Sequence, residues 1–422
     1  MNRDFSAATF ACFARNFASF TESSEILVAR DTRNTGDLLN KAVVAALVSR
    51  GLKVIDFGII STPALFRESR VRGMPAIMIT ASHNEPDFNG LKFLVNGFGI
   101  SAGALKKVVE LEPREGQPFK EGSFKRQPKS IYTDDLVRRF GKDSCDGVRV
   151  ALDLGGGAAI AHAVEILRKL GCDVISINDT AGVFGRRVDP IADKLSLLQK
   201  LVSENECAIG LGFDCDGDRL AVVDSGGRKR SGDFMLTLAL SRLLAESDDH
   251  SIVVSVDTTQ AVDDLVKKSG GRVYRSAVGE ANVVGMMQDK GVRFGGEGSS
   301  GGLIDGSFNH CRDSMLAALV IIRAIREEGT GVYGEVKSYH QARVALQVKR
   351  ASALKAMRIL ANRHREADVT DGVKLRLSSQ SWVLIRLSGT EDVARVSAEA
   401  ETGTKAEGIA KEYSTKLMEL AR

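Results

Sequence analysis

The sequence predicts a multidomain α/β protein: three similar mixed-sheet α/β domains followed by a smaller α+β domain. Three observations carry this. First, Ile26–Asp31 (ILVARD), Val148–Asp153 (VRVALD) and Ile252–Asp257 (IVVSVD) are each a β-branched run ending in aspartate. Second, each run leads into a helical stretch that closes on glycine and is followed by another strand, the signature of parallel βαβ units. Third, the last ~80 residues abandon the pattern and read as short strands followed by a helix. The repeats recur roughly every hundred residues, a domain period rather than a solenoid period.

The elements follow in order. Phe10, Phe13, Phe17 and Phe20 recur at helical spacing and predict a first helix before the strand at Ile26. An acid-poor, arginine-bearing N-terminus also suits a transit peptide, but the phenylalanine stripe favours a helix of the fold and a cytoplasmic protein. In each repeat a further apolar strand runs into a chemically loaded loop: AIMITASHNE, AIGLGFDCDGDR and VRFGGEGSSGG. In parallel sheets, ligands collect beyond the carboxyl ends of strands, so each domain presents one such loop. The Gly155–Gly157 run lacks the third glycine of a dinucleotide fingerprint and turns a strand into a helix. The tail strands are VKLRLSS, SWVLIRLS and VARVSAEAE. Boundaries fall at residues 1–127, 128–229, 230–341 and 342–422.

Composition excludes several classes. The chain has 58 basic and 54 acidic residues in 422, a net charge of +4 too small and dispersed for nucleic-acid binding. No apolar run reaches the ~18 to 20 residues of a membrane span. The six cysteines, Cys12, Cys145, Cys172, Cys207, Cys215 and Cys311, show no metal-binding spacing and read as reduced, mostly buried thiols.

Asp214, Asp216 and Asp218 alternate along one loop after an apolar strand. Carboxylates so crowded repel one another unless a cation neutralises them, and an all-oxygen set suits magnesium. An EF-hand is excluded by Arg219 and Ser225 at its sixth and twelfth positions. The bland alternative is a solvated Asp-Gly turn. Ser82, in Thr80-Ala81-Ser82-His83-Asn84, is a candidate phosphoryl carrier opposite that metal, against the plainer role of a turn serine. His83 is the competing carrier or a loop-orienting group, and Lys92 a candidate acid/base. Gly296–Gly302, with Glu297 and Ser299, pairs a carboxylate with hydroxyls as polyol recognition requires. Arg386, Ser388, Gly389 and Thr390, with Arg395 behind, resemble a phosphate cradle.

Taken together, TASHNE…NGLKF, GFDCDGDR, GGEGSSGG and RLSGTED, in this order and at domain spacing, resemble the α-D-phosphohexomutase family. The resemblance covers nearly the whole chain, including Arg30–Arg33 and Ser61-Thr62-Pro63. It implies a four-domain, heart-shaped architecture and a magnesium-dependent enzyme interconverting hexose 1- and 6-phosphates. Ser82 becomes the phosphoserine, and a hexose 1,6-bisphosphate the intermediate and activator. By the same resemblance Asp214, Asp216, Asp218 and the phosphoserine hold magnesium. Lys92 and Arg219 flank the transferring group, Glu297 and Ser299 read sugar hydroxyls, and Arg386, Ser388, Gly389, Thr390 and Arg395 hold the other phosphate.

The chain departs from the family pattern in four places. It starts at the first helix, without the usual preceding strand and G-x-R-G segment, which leaves open an upstream start or a divergent branch. The sugar loop has an extra serine and no histidine. Cys215 stands where glycine is common, and Asp392 replaces a proline. The sugar loop favours phosphomannomutase or phosphoglucomutase activity over phosphoglucosamine mutase. The alternatives are a catalytically impaired homologue that senses sugar phosphates and a plain phosphatase.

Overall fold

The computed structural model describes residues 6–111, 120–388 and 392–421. Helix α1 (Ala7–Thr21) begins where the Ser6 side chain accepts the Thr9 N–H in a capping box. Strand β1 (Glu25–Arg30), helix α2 (Gly36–Val48), strand β2 (Lys53–Ile59), helix α3 (Thr62–Arg72) and strand β3 (Ala76–Ile79) follow. Strands β4 (Leu91–Val95) and β5 (Phe98–Gly99), helix α4 (Ala102–Glu110) and strand β6 (Ser123–Arg126) complete a sheet ordered β5-β4-β3-β1-β2-β6. Phe10 and Phe17 of α1 and Val43 and Leu47 of α2 share one core with Ile26, Val28 and Ile77 of the sheet. The phenylalanine stripe is therefore core packing, with the Phe17 ring stacked 4.6 Å from Phe93.

After α5 (Tyr132–Phe140) the second repeat runs β7 (Arg149–Asp153), α6 (Ala163–Lys169), β8 (Asp173–Ile177), α7 (Ser196–Glu204), β9 (Ile209–Phe213) and β10 (Leu220–Asp224), and α8 (Gly232–Ala245) leads into the third. Gly155 and Gly156 adopt positive φ between β7 and a 3-10 turn at Ala158–Ala161, so the glycine run does turn strand into helix. The third repeat has β11 (Ile252–Ser255), α9 (Ala261–Ser269), β12 (Val273–Ser276), α10 (Glu280–Lys290) and β13 (Phe294–Glu297), then β14 (Gly302–Asp305) and α11 (Ser314–Glu328). The tail comprises β15 (His340–Gln347), α12 (Arg350–Arg363), β16 (Val373–Ser378), β17 (Ser381–Leu387), β18 (Val393–Ala400) and α13 (Gly403–Leu420).

The repeat is visible in the parallel cores. Their strand orders, β3-β1-β2, β9-β7-β8 and β13-β11-β12, are the same pattern three times. The first two carry an additional antiparallel strand, β4 on β3 and β10 on β9. The tail differs from expectation: its sheet, β15-β18-β17-β16, is wholly antiparallel and has a fourth strand, and α12 is a second helix. Compact packing divides the chain into two units, Met1–Leu243 with Ser300–Tyr333, and Leu244–Ser299 with Gly334–Arg422. Within the second, Val256 and Val278 of the third repeat pack against Trp382 and Leu384 of the tail. No helix among the described residues is long and apolar enough to cross a membrane. The apolar stretch Met315–Ile322 is a buried part of α11. All six cysteines are free thiols, and only Cys12 is not buried.

Candidate active site

The serine loop is the tip of a hairpin. Ile79 of β3 pairs with Leu91 of β4, and the Thr80 N–H donates to the Gly90 carbonyl at 3.0 Å to close its neck. The neck is too narrow for a side chain at Gly90, where a Cβ would meet the Thr80 oxygen at 2.9 Å. Ser82 sits in the left-handed region, φ 50°, which costs a non-glycine residue about 1 kcal/mol. Its N–H donates to Thr80 Oγ1 at 2.8 Å, and Thr80 Oγ1 donates to Asp31 Oδ2 at 2.7 Å. His83, next along, is exposed.

The aspartate loop is a second hairpin tip, Phe213 of β9 pairing with Leu220 of β10. Asp214 Oδ1 folds the loop on itself by accepting the N–H groups of Asp218 and Arg219 at 3.0 and 3.1 Å. Gly217 supplies a positive φ of 69° that lets the chain reverse. Thr62 at the start of α3 anchors the loop from outside. Its N–H donates to the Asp216 carbonyl at 2.8 Å and its hydroxyl to Asp216 Oδ2 at 2.6 Å. Cys215 turns the other way, its sulfur 3.7 Å from Thr32 Oγ1, and burial pushes its thiol well up.

The two tips meet. Ser82 Oγ donates to Asp214 Oδ2 at 3.3 Å. Lys92, on β4 opposite Met78, places Nζ 2.7 Å from Asp216 Oδ2 and 3.0 Å from Asp218 Oδ2. Arg312 donates to Asp218 Oδ2 at 2.8 Å, and Arg219 to Asp189 Oδ2 at 3.0 Å. Asp214, Asp216 and Asp218 are at most 1% exposed, with one oxygen from each within 4.8 Å of the others.

Whether this set fits a cation is tested by its leftover atoms. Asp216 Oδ1 and Asp218 Oδ1 are buried without a hydrogen-bond partner among the described residues. Burial, and then the Asp218 and Asp216 charges, pushes the Asp214 carboxyl well above the usual range. Burial alone would raise Asp218 too, yet Arg312, Lys92 and Arg219 hold it low. Buried, convergent, all-oxygen and short of positive charge, the cluster fits a hard divalent ion.

The remaining sequence-predicted residues lie in the second unit. Glu297 ends β13, 3% exposed, its Oε1 accepting the Gly279 N–H at 2.7 Å. Ser299 is half-buried in the turn after it. Arg386 on β17 is the register partner of Arg395 on β18. Like charges directly opposite repel; Asp371 Oδ2 offsets one, at 2.6 Å from Arg386. Ser388 is buried, its N–H donating to the Val393 carbonyl and its own carbonyl accepting from Arg350. Gly389 and Thr390 lie outside the described residues.

Sequence reasoning assigned no separate roles to Arg33, Thr62, Asp189 and Arg312. The first two fall within segments of the family resemblance, but Asp216 for Thr62 and the Ser82-loop carbonyls for Arg33 lie far along the chain; nothing in HCRDS signals Arg312.

Models of the phosphoglucomutase/phosphomannomutase family match four consecutive segments. They are alpha/beta/alpha domain I over residues 1–115, domain II over 130–227, domain III over 231–341 and the C-terminal domain over 344–416. A probable phosphoglucosamine mutase of Methanopyrus kandleri is 31% identical over 94% of this chain and 91% of its own. The phosphoglucosamine mutase of Alkaliphilus metalliredigens is also 31% identical, over 94% and 91%. A phosphoglucomutase/phosphomannomutase of Thermococcus kodakarensis is 30% identical, over 94% and 90%.

Among solved structures, a phosphoglucomutase/phosphomannomutase family protein from Burkholderia thailandensis superposes with a TM-score of 0.86. It is 21% identical, with 100% of this chain and 95% of that one covered. Aspergillus fumigatus N-acetylphosphoglucosamine mutase, in complex with GlcNAc-6P and magnesium, gives 0.60 at 17% identity, covering 93% and 82%. The chain belongs to the phosphoglucomutase/phosphomannomutase family, and so to the phosphohexomutases, which are isomerases.

Proposed function

We propose that this phosphohexomutase interconverts hexose 6-phosphate and hexose 1-phosphate through a phosphoserine at Ser82 and a hexose 1,6-bisphosphate. The observation that carries the reading is Ser82 Oγ standing 3.3 Å from Asp214 in a cluster of three buried carboxylates. The phosphoryl group leaves Ser82 Oγ for the free hydroxyl of the bound monophosphate. The Ser82 O–P bond breaks, a sugar O–P bond forms, and the hydroxyl proton passes to the serine oxygen. Lys92, on the strand beside the loop, is the group assigned to relay that proton. In the return step the other phosphate of the bisphosphate is handed to Ser82, so the enzyme is restored.

Asp214, Asp216, Asp218 and a phosphoserine oxygen would hold the metal. Magnesium, when bound, supplies positive charge to the transferring phosphoryl oxygens. The oxygen-only ligand set supports that ion, as does its presence with the Aspergillus enzyme. Arg219 is assigned to the transferring group and His83 to the serine loop. In the second unit, Arg386, Arg395 and Ser388, with Gly389 and Thr390, are assigned to the phosphate that does not react. Two facing arginines support this, because an anion relieves their repulsion. Glu297 and Ser299 are assigned to the sugar hydroxyls.

For the sugar, the names of the relatives support glucosamine phosphate, against the preference drawn from the sugar loop, while the Thermococcus relative keeps glucose and mannose phosphates in play. The test is ³¹P NMR of glucosamine 6-phosphate, glucose 1-phosphate and mannose 1-phosphate, with magnesium and a trace of the corresponding 1,6-bisphosphate. Interconversion of at least one pair is the expected result. Release of inorganic phosphate alone would make the protein a phosphatase, and binding without turnover would make it a sensor.

A further inference from the structure

The Ser82 loop has no regular structure, and one buried side chain reaches across it. Arg33 is 1% exposed and lies on the loop after β1. Its Nη2 donates to the Ser82 and Asn84 carbonyls at 2.6 and 2.8 Å, and its Nη1 to those of Glu85 and Phe88 at 2.5 and 2.9 Å. Its Nε donates to Asp31 Oδ2 at 3.0 Å. All five N–H donors of the guanidinium are thereby used. The Arg33 N–H also donates to Asp31 Oδ1 at 3.0 Å, which fixes the carboxylate.

Asp31 closes a ring on Ser82. Its Oδ2 accepts from Thr80 Oγ1, which accepts the Ser82 N–H, while Arg33 takes the Ser82 carbonyl. The residue is thus held by both ends of its backbone in a left-handed conformation that serine disfavours. A trans peptide sets C=O and N–H on opposite edges. Turning the Ser82 and Asn84 carbonyls onto Arg33 therefore turns the following N–H groups, of His83 and Glu85, away from it. No side chain but arginine brings five donors in one plane.

We infer that Arg33 is a positioning residue for the phosphoryl carrier: it holds the Ser82 loop so that Oγ stays against the aspartate cluster. The inference rests on the assignment of Ser82 above. Arg33 spends all five guanidinium donors on Asp31 and the loop carbonyls, leaving none for a substrate, so its loss should appear in turnover rather than in binding. A displacement of about 1 Å at the reacting group costs about a hundredfold in rate.

The test compares the full-length wild type with Arg33→Lys, which keeps the charge but has only three donors in a different geometry. Thr80→Val, which breaks the ring at its other end, serves if the lysine variant fails to fold. In the sugar-phosphate assay, Arg33→Lys should lose about a hundredfold in kcat and Thr80→Val about tenfold. KM for the monophosphate should stay within about threefold of wild type in both. Hydrogen exchange followed by mass spectrometry supplies a readout independent of activity: amides of residues 81–89 should exchange faster in the variant, with β7 to β10 unchanged. Wild-type kcat in the folded variants, a loss carried mainly by KM, or unchanged exchange in the loop would each overturn the inference. If the wild type itself does not isomerise any hexose phosphate, the functional assignment fails. The exchange comparison then still decides whether Arg33 holds the loop.

Discussion

At the scale of single residues, the site is a contest between burial and charge. Three carboxylates with almost no exposure survive because Lys92, Arg312 and the loop's own N–H groups neutralise part of their charge. Two oxygens, Asp216 Oδ1 and Asp218 Oδ1, are left without a hydrogen-bond partner among the described residues. Asp216→Asn, which keeps the shape and removes one charge, should weaken Mn²⁺ binding in an EPR titration by one to two decades. Excess EDTA should abolish wild-type turnover, and added Mg²⁺ should restore it. The aspartates could be found in the sequence because three of them alternate behind an apolar strand. Ser82 stands out because its loop follows the corresponding strand of another repeat, β3, and the structure sets its hydroxyl beside Asp214. The residues that hold them could not be found that way. Thr62 meets Asp216, and Arg312 meets Asp218, across long stretches of chain that no local pattern marks.

At the scale of elements, the serine and aspartate loops are both hairpin tips rather than open strand ends. The sequence shows β3 and β9 plainly, because each is a fully buried apolar run. It hides the return strands β4 and β10: each follows within a few residues of the functional loop and reads as its continuation. Their antiparallel registers, Ile79↔Leu91 and Phe213↔Leu220, fix the two ends of each loop and hence its reach. Strand β15 is hidden for another reason. Its residues alternate between partial and full exposure, so it lacks a continuous apolar run. Helix α1 was legible, since its phenylalanines keep a helical period and two of them are fully buried. Phe17→Ala should therefore cost about 3 to 5 kcal/mol in urea unfolding. A loss below about 1 kcal/mol would show that α1 is not part of the first-domain core.

At the scale of the whole molecule, stability is expected to fall with pH on the acid side. His162, 5% exposed and edge-on to Tyr132 with ring centroids 5.2 Å apart, is held by burial at a pKa of about 4. Its unfolded value is about 6.5. Above pH 6.5 it is neutral in both states and costs nothing. As pH falls from 6.5 towards 4, the unfolded chain takes up a proton that the native one refuses, so stability is lost, by about 2 kcal/mol at pH 5. His162→Gln should flatten that limb, which urea midpoints at pH 7 and pH 5 will show. A variant whose midpoint falls as steeply as wild type would place the acid sensitivity elsewhere. The repeat order β3-β1-β2, β9-β7-β8 and β13-β11-β12 gives each domain a loop at the same position, and the three loops differ in the side chains they carry. The claim that binds these scales together is that the first of those loops carries the phosphate. Its most direct test is the mass of the protein after incubation with glucose 1,6-bisphosphate and magnesium, then acid, followed by peptide mapping. Phosphoserine survives acid and phosphohistidine does not. One acid-stable phosphate per chain on the peptide containing Ser82, absent from Ser82→Ala, is the predicted result; no acid-stable phosphate there, or an equal amount on Ser82→Ala, would contradict it.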